Sequence, residues 1–335
     1  MTKMSEENST KKPLEGRALI MASMPFTKED TKKSWMYFIS TLILLLIAGG
    51  LTFLEEGVHP ALRAVFSILF ALLMVRTFII YHDYQHGAIF SKSKLAKPIM
   101  IFYGMFILAP QNIWKRTHDF HHHNNSKLSN LGIGSYPLLS KQEFNALSKK
   151  NKTMYLLARN PITIMLGYLT LFIINLNVYS IVKSPKNHWD SGVALVLHAI
   201  LGVLVYRFFG ISGLLFSFLI PFTIAFAMGA YLFFAQHNFP TATFKNNDDW
   251  EYSGAALDST SMMEMNPIMH WFTGNIGYHH VHHVNHRIPF YRLKETMESI
   301  PELQHPKTTS LNPIDIYRCL RLKIWDPDKG KMTAL

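Results

Sequence analysis

Five stretches of the chain are apolar for about the thickness of a bilayer, and no other feature limits its folding as much. A helix rises about 1.5 Å per residue and needs ~20 residues to cross the hydrocarbon core. Residues 35–54 run from Trp35 through Leu42-Ile43-Leu44-Leu45-Leu46-Ile47 to Leu54. Residues 61–81 form the second run, with Arg63 near its start and Arg76 near its end. Only the acidic turn Glu55-Glu56-Gly57-Val58-His59-Pro60 separates the two, which predicts a helical hairpin. The other runs are 161–182, 192–209 and 211–235, the last interrupted by Pro221. Residues 99–110 are apolar but too short to cross, and read as an interfacial or re-entrant piece. The pattern predicts an all-α fold, a multi-pass transmembrane helical bundle.

Charge orients that bundle. Residues 1–34 hold seven Lys/Arg, and 82–160 hold eleven against three acids. The turns 55–60 and 183–191 hold none and two, and read as external. The positive-inside rule then puts the tail 1–34, the stretch 82–160 and the segment 236–335 in the cytoplasm. Three runs between 161 and 235 leave the parity open, since only an even number of crossings returns the chain to one side. Either one of 192–209 and 211–235 is re-entrant, or the three runs share two crossings. The division expected is a polar cytoplasmic tail over 1–34 without a secretory signal, one membrane domain over 35–310, and a C-terminal tail over 311–335. The net charge of +11 would raise nucleic acid as a partner in a soluble chain. Here 49% of residues are hydrophobic and 16% charged, so a bilayer takes precedence and no nucleic acid is expected.

Histidine is the second anomaly, with 17 residues mostly in clusters. His82-Asp83-Tyr84-Gln85-His86 follows the second run. His118-Asp119-Phe120-His121-His122 and then His123 form another cluster, and His279-His280-Val281-His282-His283 a third. His237 stands alone at the end of the last run. Positions three and four apart share a helix face, so each cluster presents two or three imidazoles in one direction. With His237 that makes nine nitrogen donors, too many for one tetrahedral zinc and suited to two metals with positions left open. Imidazole binds iron, zinc and copper alike, so the donors alone do not name the metal. The single cysteine, Cys319, excludes cysteine-based zinc or iron–sulfur sites within one chain.

The remaining histidines carry plainer readings. His59, His188, His198 and His305 read as interfacial residues, His123, His280 and His286 as off-face neighbours of the donors, and His270 stays open. Asp83 and Asp119 are placed either to orient imidazoles or to sit solvated, and Asn275 is a comparable candidate. All clusters fall at the cytoplasmic ends of apolar runs, where a transporter would hold its ligands near the middle of the bilayer.

The motifs resemble the membrane fatty-acid desaturase family, whose boxes read H-x(3,4)-H, H-x(2,3)-H-H and H/Q-x(2,3)-H-H. His82-x3-His86, His118-x2-His121-His122 and His279-x2-His282-His283 match them. The run Trp271-Phe272-Thr273-Gly274-Asn275-Ile276-Gly277-Tyr278-His279, continuing to Arg292-Leu293, is similar to the last box of bacterial acyl-lipid enzymes of the delta-12 or omega-6 type. Gly132–Pro137 and Asp249-Trp250-Glu251-Tyr252 fit the same group. The resemblance covers roughly residues 60–295. It implies a di-iron centre in a cytoplasmic helical cap that activates dioxygen and removes two hydrogens from a membrane-lipid acyl chain. The iron ligands it implies are His82, His86, His118, His121, His122, His237, His279, His282 and His283, with no catalytic residue separate from them. It further implies electrons from an external donor, since the sequence carries no dinucleotide fingerprint. It also points to a bacterial inner membrane. The basic face over 82–160 either docks an acidic ferredoxin-like donor or holds anionic lipid. Two alternatives remain open on sequence: a hydroxylase or ketolase using the same irons, and a histidine-rich membrane metal carrier.

Overall fold

The computed structural model describes residues 13–128, 132–245 and 247–335; the first twelve residues of the expected tail lie outside them. Three of its helices are long and apolar enough to cross a membrane. Helix α1 (Gly16–Ser23) precedes the first of these, α2 (Thr31–Leu51), which Asp30 caps by accepting from the Lys33 amide. The second is α3 (Pro60–Gln85), started by Pro60 at its first position, where a missing N–H costs nothing. Helices α4 (Ala96–Phe106) and α5 (Gln111–His123) follow, then the wide-turned helix α6 (Tyr168–Lys183).

The third long element runs over Trp189–Ala235 and is not one rod. Gly210 sits at φ 62°, ψ −164°, a conformation open essentially to glycine alone. In a straight helix Gly202 and Phe218 would stand about 24 Å apart. Here a Cβ on Gly202 would lie 3.3 Å from the Phe218 ring, and His198 packs 4.8 Å from both Phe218 and Phe222. The chain therefore folds back at Gly210 into two antiparallel legs, α7 (Trp189–Gly213) and, after one wide turn, α8 (Ile220–Ala235). Pro221, at the start of α8, does not break it.

That hairpin settles which run fails to cross. Arg63 joins the 52–60 turn to the Gly210 bend, donating to the Thr52 carbonyl, Glu55 and Ser212 beneath the Phe216 ring. Both turns lie at the end away from the histidines. Helix α6 instead keeps both its ends on the histidine side: Ile164, just before it, packs on Ala230 and Phe234, and Ser180, near its end, meets Ser191. Asp190 accepts from the Asn112 amide at the start of α5. The turn 183–191, expected outside, is thus at the histidine end, and 161–182 is the run that does not cross. Length fits this, because Tyr168–Lys183 falls short of a span, whereas the leg from the Gly210 bend through the wide turn to Ala235 does not. Four legs remain, and four restores the parity.

Two segments expected as tails are folded against the histidine end. Leu19 of α1 is fully buried, Gly16 donates to Ser253, and Asn285 donates to Ser23. At the other terminus, helix Pro313–Arg321 and the antiparallel ribbon Ile324–Asp326 with Lys331–Thr333 bury Cys319, Trp325 and Met332 against Phe239 and Phe244. Counting polar residues hid both, since a few apolar side chains at the right spacing are enough to dock a short element. A parallel pairing of Met262–Glu264 with Thr308–Ser310 is the other piece of sheet among the described residues. The molecule is otherwise helical, as expected.

Candidate metal centre

Each sequence box sits on a helix end facing a common centre. The last turn of α3 supplies His82 and its C-cap His86; α5 supplies His118, His121 and His122; α9 (His279–Val284) supplies His279, His282 and His283. His237 follows the end of α8 by two residues. The nine rings fall into two groups: His82, His86, His118, His122 and His282, and then His121, His237, His279 and His283. Within each group the donor atoms lie within 4.8 Å of one another. No other described histidine belongs to either group.

Edge lengths test whether a metal fits. In the first group, Nε2 of His82 is 3.2 Å from that of His86 and 3.0 Å from that of His118. His122 is 3.1 Å from His118 and from His282. In the second, His237 is 3.1 Å from His121 and 2.9 Å from His279, which is 3.1 Å from His283. Nitrogens bound at about 2.1 Å to one ion and at right angles around it are about 3.0 Å apart. The edges therefore match a coordination shell in each group, and five and four donors leave positions free for other ligands.

Electrostatics keeps the donors in the state that ligates. Burial first, and repulsion among the rings second, hold His86, His118, His121, His122, His279, His282 and His283 well below the usual 6.5. Burial takes His237 down to about 3 against the opposing pull of the Ser259 backbone. These rings are neutral at physiological pH, with lone pairs available.

Neighbouring side chains aim the rings. With Nε2 turned inward, His82 Nδ1–H donates to Asp83 at 3.1 Å, and the other Asp83 oxygen accepts from the Phe290 amide at 2.6 Å. Asp83 thereby ties the first box to the segment after the third. Asp119 is instead a half-exposed partner of Lys115 at 2.8 Å and orients no ring, and Asn275 reaches the Phe290 carbonyl. His121 Nδ1–H donates to Ser135 at 2.7 Å. Gly134, at φ +65° and tight against the Thr117 carbonyl, brings that hydroxyl in.

Sequence reasoning gave Ser135 no role of its own, nor Trp114, whose ring stacks 4.3 Å from His118. The run Gly132–Pro137 was the available signal for Ser135, and the four-residue spacing from His118 on α5 was the available signal for Trp114. Among the other histidines, His280 donates to the Leu303 carbonyl, and His286 packs 4.7 Å from His86 and 5.0 Å from His122. His123 bonds the Asp119 backbone, and His270 stacks on Tyr278. His198, read as interfacial, is buried in the bundle and bonded to Tyr168. His188 is buried too, in the wall of a cavity.

That cavity, of 1110 Å³, touches both groups, through His82 and His118 on one side and His279 on the other. From the histidines it follows Phe78 and Met74 along α3, and Leu232, Gly229 and Ala225 along α8. Arg116, Lys183 and Asn187 line it near the 183–191 turn. An apolar slot running past two nitrogen-lined centres suits a long aliphatic substrate held beside a metal pair.

The chain is similar to known proteins over most of its length. The family model described as fatty acid desaturase matches residues 59–312. A "Fatty acid desaturase" of Bacillus subtilis (strain 168) is 30% identical over 317 residues, covering 92% of this chain and 88% of that protein. The "sn-1 acyl-lipid omega-3 desaturase (ferredoxin)" of Nostoc sp. (strain 36) is 24% identical over 88% of this chain and 83% of its own length. The chloroplastic "Omega-6 fatty acid desaturase" of Arabidopsis thaliana is 27% identical over 67% of this chain and 50% of its own.

Proposed function

The chain belongs to the fatty acid desaturase family, and from that premise we propose that its nine clustered histidines hold two iron ions beside an acyl chain lying in the cavity. The observation that carries this reading is the opening of both histidine groups onto one apolar cavity. Bound there, two redox-active ions supply the dioxygen activation that removal of two hydrogens from an unactivated chain requires. The balance is one dioxygen, two substrate hydrogens, two external electrons and two protons giving two waters.

The protein's own contribution is position and dryness. Phe78, Met74 and Leu232 make the slot apolar, so an alkyl chain enters and water is disfavoured. His82 and His118 on one wall, with His279 on the other, bring chosen carbons beside both centres, and holding them there supplies much of the rate. Asp83 and Ser135 fix the ring directions of His82 and His121. The Trp114 ring covers His118.

The substrate we assign is an acyl group on a membrane lipid, and the donor a ferredoxin-like protein; the Nostoc relative is named for both. The basic stretch 82–160 suits an acidic donor, and by the positive-inside rule we assign the histidine end to the cytoplasmic side, in a bacterial inner membrane. Expression in a host without polyunsaturated lipids, followed by gas chromatography of its fatty acids, tests the reading. A new double bond supports it. An inserted hydroxyl or keto group, or metal flux without oxygen consumption, overturns it.

A further inference from the structure

Glycines inside the helices mostly stand where packing forbids a side chain. A Cβ on Gly104 would strike Tyr81, one on Gly167 would strike Ala230, and one on Gly213 would strike Phe209. Gly229 is different. It lies inside α8, a Cβ built on it meets nothing within 4 Å, and it lines the cavity. Glycine weakens a helix interior relative to alanine, and neither packing nor backbone geometry here asks for it. The void beside it is cavity.

Its level in the bundle says what the void does. Ala225, Gly229, Leu232 and Gln236 share the cavity face of α8 at three-and-four spacing. Gly229 precedes His237 by eight residues, about 12 Å along the axis, as Met74 precedes His82 on α3. At and just below that level the slot ends, on Met74, then on Ala225 and the pair Phe172–Phe226, whose rings are 4.2 Å apart. The charged lining residues, Arg116 and Lys183, are at the histidine level, so the apolar floor receives the methyl end of a chain.

We propose that Gly229 is a specificity-determining residue, its missing side chain setting how much acyl chain fits between the floor and the histidine groups. The inference rests on the reading of the cavity as the acyl site. With the methyl end against the floor, the depth of the slot decides which carbons lie beside the metal pair. A branched side chain at 229 would raise the floor by about one helical turn, four residues above Ala225.

The test compares Gly229→Ala and Gly229→Leu with the parent chain on phospholipids that differ only in acyl length. Gly50→Ala, on α2 away from the cavity with equally open space, is the control. Gly229→Leu should lower product from the longest chains at least tenfold relative to shorter ones, and move the double bond toward the methyl end. Gly229→Ala should shift the same ratio in the same direction by less, with thermal stability in detergent equal to or above the parent's. That stability protects the test against a variant that merely fails to fold. An unchanged length ratio and bond position in a stable Gly229→Ala overturns the proposal, as does equal loss on every chain length in folded Gly229→Leu. If the parent itself makes no double bond, the acyl reading fails first and takes this inference with it.

Discussion

At the scale of single residues, the two histidine groups share a common logic but not a common ring. His82 sits in the five-membered group, and His121 and His283 in the four-membered one. Replacing any of the three by alanine removes a donor from a shell built of edges near 3 Å, and should abolish desaturation while leaving membrane insertion intact. Product analysis with membrane fractionation checks this, with His59→Ala and His305→Ala as silent controls. Near-parental product from one mutant removes that ring from the site.

Acid should act through the same rings. His280, outside both groups, is pushed down to about 4 by burial, and the clustered rings lie well below 6.5. Between those values the unfolded chain binds more protons than the folded one. Stability of metal-free protein is therefore full above about pH 6.5 and falls as pH drops toward 4. Melting curves across that window should show Tm falling on acidification, and a rise would contradict the burial of neutral rings.

Sequence spacing made eight of the nine clustered histidines legible, because three-and-four periodicity survives wherever a helix forms; His237, alone in its segment, was read from its place at the end of the last apolar run. Spacing could not show Ser135, which reaches His121 only through tertiary packing, whereas Trp114 meets His118 by the same four-residue spacing on α5.

At the scale of elements, hydropathy located the apolar runs but not their paths. Residues 161–182 and 192–209 are equally apolar on paper, yet α6 stays at the histidine end and α7 crosses to the bend at Gly210. Residue counts carry length; they do not carry the widened turns of α6, the Ser180–Ser191 bond near its far end or the Asp190–Asn112 bond that holds the start of α7 beside α5. A cysteine at Lys186, in a Cys319→Ser background, should label from the same face as one at Ser91, and one at Gly57 from the opposite face. Labelling of Lys186 and Gly57 positions together would restore the external turn and remove the four-leg bundle. The hairpin of α2 and α3 was plain in the sequence, since an acidic six-residue turn between two apolar runs leaves little choice. The docked termini were not, because α1 and the 324–333 ribbon are too short for periodicity to register.

Across the described residues, the clustered histidines gather at one end of four apolar legs, and α1 and the segment 313–333 fold over that end. Arg76, buried, donates from α3 to Thr41 on α2 and to the Trp271 carbonyl, so bundle and cap are joined by a cation that also stacks 4.1 Å over the Trp271 ring. Such an arrangement ties the histidine end to the legs between which the cavity reaches down. The account stands on the identity and number of the ions at that end. The most direct measurement is metal content of the purified chain taken together with its turnover. Two irons per chain, with desaturation that requires both oxygen and an external reductant, is the predicted result. Zinc-loaded protein should be folded and inactive, since zinc has no redox chemistry. Full activity with zinc, or with a single tightly held ion, would contradict the di-iron desaturase.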